Sequence, residues 1–245
     1  MISVITATFN SAATLPALIA SMRAQTDRDF EWLAIDGGST DATIEILRGA
    51  SDVLTCWKSE PDFGIYHALN KGLALATREY YLVMGSDDTL APSAIAAFRA
   101  AAIRSDADVI AAPVRVDASV VQPRRRAAWL RSGPPGVAAH SVGTLIRRSL
   151  HDEIGVYSRR YPIAADTYFL LQIAQRGKRF DYIDDVVGRF GTAGASSNDM
   201  LGALCESWRA HVAVHGRYWL HLPLFIARLL ANGVRIARAT QKRQD

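Results

Sequence analysis

Two adjacent carboxylates, Asp87 and Asp88, close the segment Glu79-Tyr80-Tyr81-Leu82-Val83-Met84-Gly85-Ser86. The apolar residues ahead of them predict a buried strand, so the pair sits where that strand meets solvent. Like charges side by side repel and make a poor device for stability. They suit a divalent cation, because Mg²⁺ and Mn²⁺ take hard oxygen ligands. A cation held there can in turn hold the phosphates of a ligand. Three further acids fall at predicted strand ends, turns or helix starts: Asp36, Asp62 and Asp166. Each has a plain structural reading as well. Asp36 before Gly37-Gly38 and Asp62 between Pro61 and Phe63-Gly64 are good turn residues, and Asp166 complements a helix dipole. The pattern carries more than any one member.

The elements that must position these acids alternate. Strands are expected over 2–8, 31–36, 53–57 and 80–84, with helices over 12–23, 66–76 and 93–102 between and after them. Ser39 or Thr40 is placed to cap a helix after the second strand, and Pro92 to sit in the first turn of the helix over 93–102. Repeated βα units argue for a mostly parallel sheet flanked by helices, and such sheets bind ligands beyond the carboxyl ends of their strands. The second half is less regular. It predicts one or two strands over 109–121, a loop rich in Arg, Pro and Gly over 122–137, a helix over 165–175, and mainly strand over 179–190. A turn of small residues over 191–198 precedes mostly helical sequence.

Composition sets wide limits. The 245 residues are 49% hydrophobic and 21% charged, ordinary for a globular chain with a sizeable core. A net charge of +4 allows phosphorylated ligands, an anionic surface or nucleic acid and chooses none. Carboxylate-lined strand ends repel a phosphate backbone, so no nucleic-acid partner is expected. Thr8-Phe9-Asn10-Ser11 follows the first strand where a dinucleotide-binding dehydrogenase needs GxGxxG. Cys56 and Cys205, far apart and without CxxC spacing, are expected as buried, inert thiols. With no leader-like segment and no apolar run of spanning length, a cytoplasmic location is expected.

The stretches VITATFNSAATLPALIASMRAQT, AIDGGSTDATIEIL, SEPDFGIYHALNKGLALATREYYLVMGSDD and HSVGTLIRRSLHDEIGVYSRRYPIAADTYFLL, in this order and spacing, resemble the family 2 glycosyltransferases. The resemblance spans roughly residues 2–195 and points to small bacterial enzymes that build polysaccharide or glycolipid glycans. It implies the α/β GT-A fold over 1–195, followed by a helical extension over 196–245. It implies an inverting transfer of sugar from a nucleoside diphosphate to a hydroxyl of a glycan or polyprenyl-linked acceptor. UDP is the first expectation for the nucleotide, with GDP or dTDP the alternatives, and the cofactor is Mn²⁺ or Mg²⁺. An inactive nucleotide-sugar-binding protein of the same fold is the other reading, against which Asp36, Asp88 and Asp166 stand intact.

Residue roles follow from the same resemblance. Thr6, Ala7 and Thr8 line the nucleotide pocket, Asp36 accepts hydrogen bonds from base or ribose, and Asp62 and Lys71 approach the nucleotide and its diphosphate. Asp88 is the direct metal ligand, with Asp87 nearer the ribose. The usual DxD pattern has Gly85 at its first position here, leaving fewer carboxylates for the ion. Asp166 is the general base, its weak basicity raised by burial beside Tyr168 and Phe169. His140 and the cluster Arg124, Arg125 and Arg126 fall on the acceptor side. His67, Arg78 and Tyr168 replace residue types common in relatives and bear on substrate preference.

Leu222, Phe225, Ile226, Leu229, Leu230 and Val234 recur at helical spacing near the end of the chain, accompanied by Arg228, Arg235, Arg238, Lys242 and Arg243. Two readings stay open: a helix lying on anionic lipid at the cytoplasmic face of the inner membrane, or one packed on the domain or on a second subunit of a homodimer.

Overall fold

The computed structural model describes residues 1–123, 140–192, 199–216 and 218–241. Arg124, Arg125 and Arg126 and most of the small-residue turn lie outside them. A seven-stranded sheet runs through the centre. Its strands are β1 (Ile2–Thr8), β2 (Phe30–Asp36), β3 (Cys56–Ser59), β4 (Tyr80–Gly85), β6 (Val109–Ala111), β9 (Thr144–Arg147) and β10 (Phe180–Tyr182). Their spatial order is β10-β6-β9-β4-β1-β2-β3. Only β9 runs against its neighbours β4 and β6; the other pairings are parallel. A smaller sheet of four strands joins β5 (Thr89–Leu90), β11 (Gly188–Phe190), β7 (Val114–Val116) and β8 (Ser119–Val121).

Both faces of the central sheet are covered, which is why its strands are near-continuous apolar runs. Helices α1 (Leu15–Arg23), α2 (Thr43–Arg48) and α4 (Ala94–Ser105) bury Leu15, Leu18, Met22, Leu47, Ile95 and Phe98 on one face. Helices α3 (Ile65–Leu75), α6 (Ala165–Gln175) and α7 (Met200–His215) bury Tyr66, Leu69, Phe169, Leu170, Ile173 and Ala210 on the other. A short α5 (Leu150–Ile154) and a long α8 (Tyr218–Gln241) complete the chain.

Parallel register levels the strand ends. Thr8 lies opposite Asp36, Asp36 opposite Ser59, and Ala7 opposite Gly85. The acidic residues that follow β2 and β4 therefore emerge on one edge, where parallel sheets bind ligands.

Several expectations need correction. The third strand begins at Cys56 rather than Val53, because pairing with β2 starts at Leu33 opposite Cys56. The region 109–121 makes three short strands in two sheets, and 179–190 makes two, again one in each. Ser39 and Thr40 do not cap α2. Its start is held by Asp41, whose Oδ1 accepts the Thr43 amide at 3.0 Å and the Thr43 hydroxyl at 2.5 Å. Pro92 precedes α4, which begins at Ala94. Cys56 and Cys205 are both free and only half-buried.

Candidate functional site

Asp36 organises the edge it ends. It is fully buried. Its oxygens accept the hydroxyls of Thr8 (3.0 Å), Ser39 (2.5 Å) and Ser59 (2.7 Å) and the amides of Gly38 (3.0 Å) and Ser39 (2.9 Å). Burial alone would raise its pKa, but these donors outweigh it and hold the carboxyl below its ordinary value. The carboxylate is thus filled by protein donors and shapes the loop of Gly37 to Asp41. Thr6 is also buried, its hydroxyl taken by the Trp32 indole N–H at 3.0 Å. Of the three residues expected to line a nucleotide pocket, Ala7 is the one partly exposed.

Asp87 and Asp88 diverge although adjacent. Asp88 is 1% exposed, with Oδ2 accepting the Gly85 amide at 2.7 Å and Oδ1 the Gly191 amide at 2.8 Å. Burial pushes its carboxyl up to about 7, opposed by those two amides and assisted by the charge of Asp87. Asp87 stays partly exposed. Glycines make the arrangement fit. A Cβ on Gly85 would lie 2.8 Å from Asp87 Oδ1 and 3.1 Å from Asp88 Oδ2. A Cβ on Gly191 would lie 2.5 Å from the Asp87 carbonyl oxygen, inside van der Waals contact. The glycine at the first position of the acidic motif leaves room for both carboxylates.

Asp166 lies in the first turn of α6. Its Oδ1 accepts the Tyr66 hydroxyl at 2.8 Å and the Thr167 amide at 2.6 Å. Burial pushes the carboxyl above its ordinary value, and the hydrogen bonds from Tyr66 and Thr167 oppose that rise. Asp166 is half-buried, and its polar partner is Tyr66 from α3. Tyr168 instead stacks on Tyr161 at 4.7 Å. One turn ahead, the amides of Ile163 and Ala164 both donate to Glu206 Oε2 from α7, at 2.8 and 3.0 Å.

A cavity of about 270 Å³ joins the ends of β4 and α6, while Thr6, Ala7, Thr8, Asp36, Asp62 and Lys71 lie outside its lining. Asp87, Asp88, Asp166, Tyr66 and His140 border it, and Ala203 and Ser207 of α7 form part of its wall. His140 stacks on Phe190 with ring centroids 3.6 Å apart. Burial pulls its pKa down to about 4, so it meets the cavity as a neutral imidazole. Asp62 reaches over the Asp36 loop: a Cβ on Gly37 would lie 2.8 Å from Asp62 Oδ2. Lys71 pairs with Glu60 at 2.8 Å and donates to the Pro61 carbonyl at 3.2 Å, tying down the chain between β3 and α3.

The family described as glycosyl transferase family 2 matches residues 3–161. This chain belongs to that family. A PGL/p-HBAD biosynthesis glycosyltransferase of Mycobacterium bovis is 32% identical over 212 residues, covering 82% of this chain and 80% of the relative. Crystallised TarS (residues 1–349) of S. aureus has a TM-score of 0.68 at 18% identity, over 94% of this chain and 72% of that one. The mannosyltransferase PcManGT of Pyrobaculum calidifontis, solved with GDP-Man and Mn²⁺, has a TM-score of 0.66 at 20% identity, over 95% and 75% of the two chains. The fold is GT-A.

Three side chains of this glycosyltransferase escaped the sequence reading. Tyr66 lies in an ordinary helical pattern and became visible only through its bond to Asp166. Glu206 lies outside the acidic motifs, yet it is 9% exposed, and a buried carboxylate calls for donors. Phe9 is 63% exposed just past the end of β1. That exposure is a product of the fold and leaves no signal in the sequence.

Proposed function

We propose that the chain is a metal-dependent, inverting glycosyltransferase that moves a sugar from a nucleoside diphosphate to a hydroxyl of a glycan or lipid-linked acceptor in bacterial envelope synthesis. The observation that carries this reading is the cavity that Asp87, just past the end of β4, and Asp166, in the first turn of α6, both border. One carboxylate then meets the donor's diphosphate while the other meets the acceptor hydroxyl. In the transfer, Asp166 takes the hydroxyl proton, the acceptor oxygen bonds to the anomeric carbon, and the bond from that carbon to the diphosphate oxygen breaks. The diphosphate leaves with the electron pair from the opposite face. The raised pKa of Asp166 makes it a stronger base than a free carboxylate, and Tyr66 keeps its lone pairs oriented.

Among the described residues, no group of three or more His, Cys, Asp or Glu side chains is gathered to hold a metal. Mg²⁺ and Mn²⁺ need only one or two carboxylates where substrate phosphates and water complete their oxygen shell. Asp87, partly exposed beside the cavity, would hold the ion. The expected ligand Asp88 also borders the cavity, but it is 1% exposed and each of its oxygens gives one lone pair to an amide, so Asp87 is the more accessible of the two. When bound, the ion supplies charge neutralisation to the departing diphosphate. Phe9 offers a face for the base, with the Asp36 loop beside it.

The donor class draws support from TarS, solved with UDP-GlcNAc, and PcManGT, solved with GDP-Man and Mn²⁺. The M. bovis relative is described as a PGL/p-HBAD biosynthesis glycosyltransferase, which supports a role in building a glycoconjugate. The test is a screen of UDP-, GDP- and dTDP-sugars with Mn²⁺ and Mg²⁺, read by binding, by hydrolysis and by NMR of the product's anomeric configuration. A retained configuration overturns the inverting reading. Donor binding without transfer or hydrolysis under any condition favours the inactive sugar-nucleotide binder.

A further inference from the structure

The face of α8 that looks away from the protein is apolar. Tyr218 is 62% exposed, Trp219 77%, Leu222 47%, Ile226 49% and Leu230 78%. At about 100° per residue these five fall within roughly 120° of the helix circumference. The opposite side holds the helix to the fold: His221 is buried, and Phe225 stacks on Trp208 of α7 at 5.4 Å. A solvated helix normally turns charge outward, so α8 is built to meet something apolar on its outer face.

The charge of the region selects the occupant. From 207 to 244 the sequence contains no Asp or Glu, while Arg217, Arg235, Arg238, Lys242 and Arg243 fall in it; Arg209 lies over the Tyr161 ring and Arg228 borders Trp208 and His221, both toward the protein. An apolar stripe with Trp and Tyr at its amino-terminal end, inside a purely basic segment, is complementary to an anionic lipid surface. A symmetric contact with a second copy would oppose two such basic segments. No described helix is long and apolar enough to cross a membrane, which leaves an orientation along the surface. We propose that α8 lies in the interface of an anionic bilayer, with Trp219, Leu222, Ile226 and Leu230 inserted among the acyl chains. The geometry gives this a consequence for the site. Helix α7 packs against α8, forms part of the cavity wall through Ala203 and Ser207, and holds the approach to Asp166 through Glu206. The surface contact lies one helix away from the cavity. The docking proposal itself does not rest on the transferase reading.

The test is flotation of the full-length protein with vesicles of phosphatidylcholine alone and of phosphatidylcholine mixed equally with phosphatidylglycerol. Wild type is expected to float with the anionic vesicles, less so at high salt, and to stay behind with the neutral ones. The triple variant Leu222→Ser/Ile226→Ser/Leu230→Ser should partition at least about tenfold less. The control Ile103→Ser, at a residue 68% exposed on α4, should match wild type. Both variants replace exposed side chains, and thermal melts establish that each is folded. If wild type ignores anionic vesicles, or the folded triple variant floats as well as wild type, the proposal is wrong. Light scattering that shows a wild-type dimer, a monomeric triple variant and flotation of neither assigns the stripe to a second copy instead.

Discussion

The Tyr66 hydroxyl donates to Asp166 Oδ1 at 2.8 Å, joining the first turn of α3 to the first turn of α6. The same hydroxyl lies 3.0 Å from the Ile163 carbonyl, so its single proton has two acceptors. An ionised carboxylate is the stronger of them. The bond favours charged Asp166, while burial disfavours it.

That balance has a sign that can be measured. A general base works ionised, so activity falls as pH drops through its pKa. Tyr66→Phe removes a stabiliser of the charged form and raises the pKa of Asp166 further. The acid limb of the kcat/KM profile should move to higher pH. Asp166→Asn should lower kcat by about 10²–10⁴-fold with donor affinity kept, as read by calorimetry. Transfer by Asp166→Asn at the wild-type rate would remove Asp166 from the base role.

Glu206 should act on transfer through position alone. Glu206→Ala leaves the Ile163 and Ala164 amides without their acceptor and loosens the segment leading to Asp166. About a tenfold fall in kcat is expected, of the size that small misplacement produces, with donor KM little changed. Glu206→Gln retains an oxygen for both amides and should recover most of the activity. Equal loss in both variants would point to the charge rather than the geometry.

The two adjacent aspartates should separate under mutation. Asp87→Asn is expected to weaken metal-stimulated donor binding at least about tenfold with little change in melting temperature. Asp88→Asn has one oxygen for two amides and should cost about 1–3 kcal/mol of stability. Gly85→Ala would press its methyl on Asp87 Oδ1 and should resemble Asp87→Asn in donor binding. Titrations with Mn²⁺, with and without donor, decide. Undiminished metal-stimulated binding in Asp87→Asn would return the ion to Asp88.

Away from the site, Glu31 gives the fold a pH dependence. It is 7% exposed and accepts the Ser3 hydroxyl, the Thr77 amide and hydroxyl, and the Arg78 amide. Burial raises its pKa, but these hydrogen bonds outweigh it and the net shift is downward. Its contribution is therefore present above its unfolded pKa of about 4.5 and is lost as pH falls through the lower folded value. Glu31→Gln should cost about 1–3 kcal/mol near pH 7 and progressively less in acid, as followed by denaturant melts.

Residues whose role follows from the local chain were legible. An apolar run ending in Asp87-Asp88, and Asp36 ahead of two glycines, announce strand ends, because a parallel strand buried on both faces must be apolar until it leaves the sheet. The start of α6 at Ala165 and its buried face of Phe169, Leu170 and Ile173 follow from helical spacing in the same way. Val53 and Leu54 were misassigned because they have strand composition, while membership of a strand is decided by the partner, and β2 offers its pairing from Cys56 onward.

The sequence by itself determined the family, the parallel sheet and the identity of the acids at its edge, since pattern and spacing are properties of a chain. Tertiary structure alone decided what surrounds each acid. Whether a carboxylate accepts two backbone amides like Asp88, a ring of hydroxyls and amides like Asp36, or a tyrosine hydroxyl like Asp166 depends on donors from other segments. Ser59 meets Asp36 through the pairing of β3 with β2, Gly191 follows β11 of the smaller sheet, and Tyr66 comes from α3. Hydrogen bonds and burial depend on distance in space, and a carboxylate's charge and reach are set by those neighbours.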